Sequence, residues 1–283
     1  QTADERTGIY ALDTLGLYNI GCVPPDNPPH DQFARVWSVA AAYCQKRRAF
    51  LLIDPPSRWT ASRQRRAISD IAMSDIGTTF ADEGEYAAVY FPNLVAPDPL
   101  LNGQPRTFPP CGAVAGIMAR TDTNRGVWKA PAGVNDGAIS GVTGLSAQLT
   151  DADNGTLNTL GINCLRTFPA YGNVVWGART VAGDDRLGSE YKYIPVRRLA
   201  LFIEESLHRG MQWAVFEPNG EPLWSQLRLS IGAFMNELYR QGAFQGSAVR
   251  DAYFVVCDAT TTTRNDIDLG IVNVTVGFAP LKP

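Results

Sequence analysis

The feature that most constrains this chain is AFLLID at 49–54, an unbroken apolar run lying between an amphipathic helical pattern and a second strand-like run, EYAAVYFPNLV at 85–95. A continuous apolar run, as opposed to an alternating one, belongs to a strand covered on both faces, and such strands sit in parallel sheets. The preceding pattern spans about Asp31 to Arg48 and spaces Phe33, Val36, Trp37, Ala40 and Cys44 at three and four residues. That is one helical stripe, and Gln45, Lys46, Arg47 and Arg48 suit its last turn. Upstream, LYNIGCVPP reads as a short strand stopped by prolines, and a second helix is expected over Ser62–Asp75 with Ile68, Ile71 and Ala72 inward. Strands separated by helices of this length favour right-handed crossovers in a parallel sheet, so residues 8–120 read as a three-layer α/β region.

Residues 97–161 change character. Pro, Gly, Asn, Asp and Thr dominate, with a short helix expected around Cys111–Arg120. A loop of this length usually carries function or contacts, which marks 121–160 as a candidate interaction surface. Order returns with INCLRTF and NVVWGARTV as strands, then a helix over about Val196–Arg209 with Val196, Leu199, Ala200, Ile203 and Leu207 inward and Gly210 as its C-cap. QWAVFE reads as a strand, and PNGEP as a turn into a long helix with Trp224, Leu227, Ile231, Phe234 and Leu238 inward, ended by Gly242. AYFVVCD and IVNVTVGFAP close the chain as strands. The second half is thus α+β, two helices on a mostly antiparallel sheet, and the expected division is 1–120, 121–160 and 161–283.

Bulk properties exclude several functions. With 283 residues and 45% hydrophobic content the chain can bury real cores, and no apolar run reaches membrane-spanning length. A net charge of -3 gives no electrostatic reason to expect nucleic acid or an anionic membrane as partner. Five cysteines, Cys22, Cys44, Cys111, Cys164 and Cys257, lie far apart without CxxC spacing, and read as buried reduced thiols in a cytoplasmic protein. The chain starts at Gln1 on a polar segment unlike a signal peptide, and reads as part of something longer.

Chemistry finds little purchase. The two histidines, His30 and His208, sit in a proline-rich loop and near a helix end, and neither GxGxxG after a strand, GxxxxGK[ST] nor GxSxG occurs. Asp54, at the carboxyl end of AFLLID, stands where open α/β sheets place ligands. Pro55 and Pro56 follow it directly, so a strand end with a turn-favouring Asp is the plainer reading. Glu204 and Glu205 point about 100° apart on one helix, so an ion pair of Glu205 with Arg209 suits them better than a facing carboxylate pair. Thr260–Thr263 is a hydroxyl-rich run between two strands, read as a loop or strand end. No catalytic, cofactor or metal residue is assigned. Trp59, Trp128, Trp176, Trp213 and Trp224 fall at element boundaries, where an aromatic body buries and its N–H finds a partner.

Four ordered blocks, GVWKAPAG (126–133), LNTLGINCLRTFPAYGNVVWGARTV (157–181), YKYIPVRRLALFIEESLHRGMQWAVFEPNGEPLW (191–224) and AYFVVCDATTTTRNDIDLGIVNVTVGFAPLKP (252–283), resemble the sheath proteins of contractile phage tails, R-type bacteriocins and contractile injection systems. The resemblance implies a structural subunit, not an enzyme. It implies self-association into stacked rings or a helix around an inner tube protein, with baseplate and terminator proteins as further partners, no cofactor, and rigid-body contraction without nucleotide hydrolysis. Assembly in the bacterial cytoplasm and residence in a virion tail or released particle follow from it. Family members link through arms that add strands to a neighbour's sheet. This sequence stops at APLKP, so the resemblance implies a conserved core lacking its arms, monomeric or weakly associating. It also implies that the C-terminal domain faces the tube, with Arg264, Asp266 and Asp268 as candidates for contact with the tube or an adjacent subunit. An α/β enzyme using Asp54 and the 97–160 loop, and a non-contractile baseplate or tube component, remain the alternatives.

Overall fold

The apolar run forms β2 (Phe50–Ile53), every residue of it buried, between two parallel neighbours, β1 (Ile20–Cys22) and β3 (Ala87–Phe91). The computed structural model describes residues 7–25, 33–56, 59, 80 and 82–283. The expected helix Ser62–Asp75, with Ile68, Ile71 and Ala72, lies outside them. Two compact units divide after Arg198.

In the first unit the sheet runs β1-β2-β3-β7-β8. β7 (Ile162–Phe168) pairs parallel to β3, Val89 facing Ile162, and β8 (Gly172–Val175) closes the edge antiparallel to β7. The two strands with which the sequence opens its C-terminal region thus complete the first sheet: β7 is buried over Ile162–Leu165, as a strand inside a parallel sheet must be. Period-two alternation sends Leu51, Ile53, Ala87, Val89 and Phe91 to one face, where they join Trp37, Ala40, Ala41 and Cys44 of α1 (Phe33–Lys46) in a core cluster. The basic last turn of α1 does more than answer the helix dipole: Arg47 donates to the carbonyls of Leu12 and Leu15 and to Asp13, fastening the 3₁₀ turn at Gly8–Thr14.

The stretch expected as a long loop is largely ordered. The run EYAAVYFPNLV breaks at Pro92, and β4 (Leu94–Asp98) pairs antiparallel with β5 (Gln104–Phe108). Asn102 and Gly103, both at positive φ, turn the chain, while Asp98 accepts from the Leu100 N–H and from Arg106. α2 (Cys111–Arg125) packs against β1 and β2. Beyond it come the single turn α3 (Gly133–Asp136), then β6 (Gly144–Leu145) on the free edge of β4, and α4 (Asp151–Thr159), whose start is a Thr150/Asp153 capping box.

α5 (Ile194–Gly210) runs from the first unit into the second. Its expected one-sided stripe holds only in part, because Ile194–Leu201 are all buried and Leu207 is not. The polar residues that would define a wet face are paired instead. Arg197 lies between the rings of Tyr86 and Tyr191, 4.1 and 4.4 Å from their centroids, and Arg198 makes two hydrogen bonds, 2.8 and 2.6 Å, to the Asp122 carboxylate. Gly210 is the last helical residue and not a left-handed cap.

The second unit holds α6 (Glu221–Arg240), the turn α7 (Val249–Ala252), β9 (Tyr253–Val256), the turn α8 (Arg264–Asp268) and β10 (Thr275–Phe278). Leu223, Trp224, Leu227, Ile231, Met235 and Leu238 are the buried stripe of α6, and Gly242 follows its end at φ 81°. β9 and β10 pair antiparallel from Val256–Thr275 to Tyr253–Phe278. The fold class is as expected, α/β followed by α+β, but the second sheet has two strands among the described residues. QWAVFE is not one of its strands. Its backbone bonds close locally, Ala214 N–H to Met211, Val215 to Gln212 and Glu217 to Ala214, so no ladder can form.

Candidate functional site

The loop after β9 brings together the hydroxyl run and the three charged candidates. Asp258 accepts from the backbone and hydroxyl of Thr260 at 2.7 and 2.5 Å, bonds that hold its carboxyl below the usual range. The Thr261 hydroxyl accepts the Asp258 N–H, and Thr262, nearly fully buried, accepts the Asn273 N–H at 3.1 Å. Thr263 and Asp266 form a capping box at the start of α8: the carboxylate takes the Thr263 N–H at 2.8 Å and its hydroxyl at 2.7 Å, which lowers the Asp266 pKa. All four threonines are therefore spent on shaping the loop and present no ligand site. Of the three candidates, Asp266 is engaged by Thr263, whereas Arg264 and Asp268 are exposed on the same turn.

What sequence reading missed lies beside them. The helical α5 passes into a 3₁₀ turn at Gln212–Ala214, and Phe216 stands fully solvent-exposed (101%) at φ 73°, a backbone region that bulky side chains avoid. Val215 (60%), Leu269 (65%) and Ile271 are exposed as well. Asn219 ties the two segments: its side chain donates to the Ile271 carbonyl at 2.9 Å and accepts from the Trp224 indole at 2.9 Å. Met211, Ala214, Ile267, Val272 and Val274 pack on Leu223, Trp224, Leu227 and Cys257 beneath. A strand-like run one turn beyond a helix end was the available signal, since a chain leaving Gly210 has no length to reverse before Gln212.

The enzymatic alternative rests on Asp54, which is buried in the first unit. Its Oδ1 accepts the Cys111 N–H at 2.8 Å while Oδ2 has no hydrogen-bond partner. Burial pushes its pKa up to about 6, against the pull of the Cys111 bonds. It is thus an interior acceptor joining the end of β2 to the start of α2, not the turn former the sequence suggests. Glu205 pairs with Arg209 at 2.6 Å, as expected. Among the described residues no three His, Cys, Asp or Glu side chains gather as a metal ligand set, and His30 lies outside those residues.

Exposed large apolar side chains beside a loop whose polar groups bond to one another are the surface character of a contact site. The chain belongs to the phage tail sheath protein family: residues 36–181 match its central domain and 188–283 its C-terminal domain. It is 28% identical over 275 residues to the tail sheath protein of Vibrio phage KVP40, covering 96% of this chain and 37% of that protein. It therefore spans little more than a third of that relative's length. Two solved structures are also similar. The anti-feeding prophage helical sheath in its contracted state shares 31% identity at a TM-score of 0.77, over all of this chain and 73% of that one. A chain of the anti-feeding prophage baseplate shares 32% identity at the same TM-score, over 96% and 67%.

Proposed function

We propose that this chain is the core of a sheath subunit that polymerises around an inner tube and contracts to drive the tube through a target envelope. The observation carrying this reading is the likeness along the whole chain to a helical sheath in its contracted state. The physical reading agrees, since a machine of this kind needs rigid bodies joined by interfaces with two arrangements. Baseplate and terminator proteins would cap the polymer, assembly would take place in the bacterial cytoplasm, and the second unit would face the tube. Arg264 and Asp268, exposed beside Leu269 and Ile271, are the candidate contact with the tube or a neighbouring subunit. Asp266 serves that surface by holding the turn.

Electron microscopy of the full-length protein is the test: long hollow cylinders are expected, and discrete particles alone would refute the reading. Charge reversal at Arg264 and Asp268 together should weaken assembly while leaving the circular dichroism unchanged. Unaltered cylinder yield would remove both residues from the interface.

A further inference from the structure

Three elements of the first unit converge on two sulfurs. Cys22 ends β1, Asp54 follows β2 and Cys111 opens α2, on the sheet face opposite α1. The Cys22 thiol donates to the Cys111 carbonyl oxygen at 3.7 Å, which sets the two cysteines side by side. Asp54 stands beside them, its Oδ1 accepting the Cys111 N–H at 2.8 Å and its Oδ2 unpartnered although the residue is only 5% exposed. The other cysteines are placed differently. Cys44 is fully buried and bonded to Tyr18, and Cys164 and Cys257 are buried elsewhere, so Cys22 alone is partly open to solvent.

We propose that Cys22 and Cys111 are a redox-responsive thiol pair, with Asp54 as proton acceptor, which hydroperoxides convert to an intramolecular disulfide joining the end of β1 to the start of α2. The neighbouring Cys111 lowers the Cys22 pKa and Cys22 in turn raises that of Cys111, so the proton stays on the buried sulfur and the accessible one is the nucleophile. The Cys22 thiolate attacks the outer oxygen of the hydroperoxide. The O–O bond breaks, the leaving alkoxide takes a proton as an alcohol or water, and Cys22 becomes a sulfenic acid. Cys111 then passes its proton to Asp54 and attacks the Cys22 sulfur. The S–O bond breaks, and the departing hydroxide recovers that proton as water. Two thiols and one hydroperoxide give one disulfide, one alcohol or water, and one further water.

The purified chain is treated with hydrogen peroxide, free thiols are alkylated, and the peptides are mapped. Two of the five thiols should disappear into a single crosslinked peptide containing Cys22 and Cys111, restored by dithiothreitol. Closing a loop across 89 positions should raise the thermal midpoint by roughly 10 °C. In Cys111→Ser a Cys22 sulfenic acid should be trapped by dimedone, and in Cys22→Ser the remaining thiol of the site, Cys111, should not react. Asp54→Asn should slow crosslinking roughly a hundredfold while sulfenic acid still forms at the native rate, a split that a merely structural role would not produce. Oxidation of Cys22 to sulfinic acid with Cys111 intact, or crosslinks to Cys44 or between chains, would overturn the proposal.

Discussion

Asp54→Asn is the substitution whose effect can be worked out furthest. In the native chain burial raises the Asp54 pKa from the usual 3.8 to about 6, while the Cys111 hydrogen bonds hold it back. Between those two values the folded state binds more protons than the unfolded one, so stability falls as pH rises through the window from 3.8 to 6. The full excursion corresponds to ~3 kcal/mol, and the N-terminus of α2, which favours a carboxylate, trims it toward ~2 kcal/mol. Asparagine keeps an oxygen for the Cys111 N–H and cannot ionise, but it puts an amide where Oδ2 has no partner, at a pH-independent cost of ~1–3 kcal/mol. At pH 4 the variant should therefore be the less stable protein by about that cost, and at pH 7.5 the two should be within ~1 kcal/mol of each other. Urea unfolding of both proteins at half-unit steps from pH 4 to 7.5, compared as a difference, removes every other titrating group. Parallel curves would show that Asp54 is ionised at both ends of the range and would refute the reasoning.

Asp122→Ala leaves the Arg198 guanidinium buried without its bidentate partner and should cost ~3 kcal/mol by chemical denaturation, with Asp122→Glu recovering only part. Phe216→Gly relieves a left-handed backbone and removes an exposed ring, so the thermal midpoint should hold or rise slightly, with ~1 kcal/mol of relieved strain offset by glycine's entropy; a clear fall would mean that Phe216 packs inward. Thr262→Val deprives the Asn273 N–H of its acceptor inside the second unit and should destabilise it by ~1–2 kcal/mol, read by hydrogen exchange at Asn273.

The parts of the fold written in local pattern were legible. A fully apolar run can only be an interior strand, and β2 is one; the three-to-four spacing in α1 and α6 placed Trp37, Cys44, Leu227 and Ile231 correctly inward. Pairing partners were not legible, because nothing in INCLRTF says whether its neighbour lies ahead of it or seventy residues behind, and it proved to be β3. The wet side of α5 was misjudged for a related reason. Nothing in the helical spacing shows that Arg197 and Arg198 are buried; that follows only once Tyr86, Tyr191 and Asp122 are brought beside them. At the candidate interface, Arg264 and Asp268 were found on the exposed turn, while the capping role of Asp266 was written in the sequence as T-x-x-D. Phe216 was missed because alternation fits a strand as well as it fits a chain turning on itself.

The pairing of Val89 with Ile162 also sets an order of events at the ribosome. β3 is apolar on both faces and cannot be covered along one edge until the chain has been made as far as Phe168, more than seventy residues later. Until then a nascent chain carries an unpaired sticky edge, the kind that recruits a second copy in the wrong register. Truncation before residue 162 should therefore yield insoluble protein, while a shorter cut from the same end, removing only the second unit after Arg198, should be better tolerated.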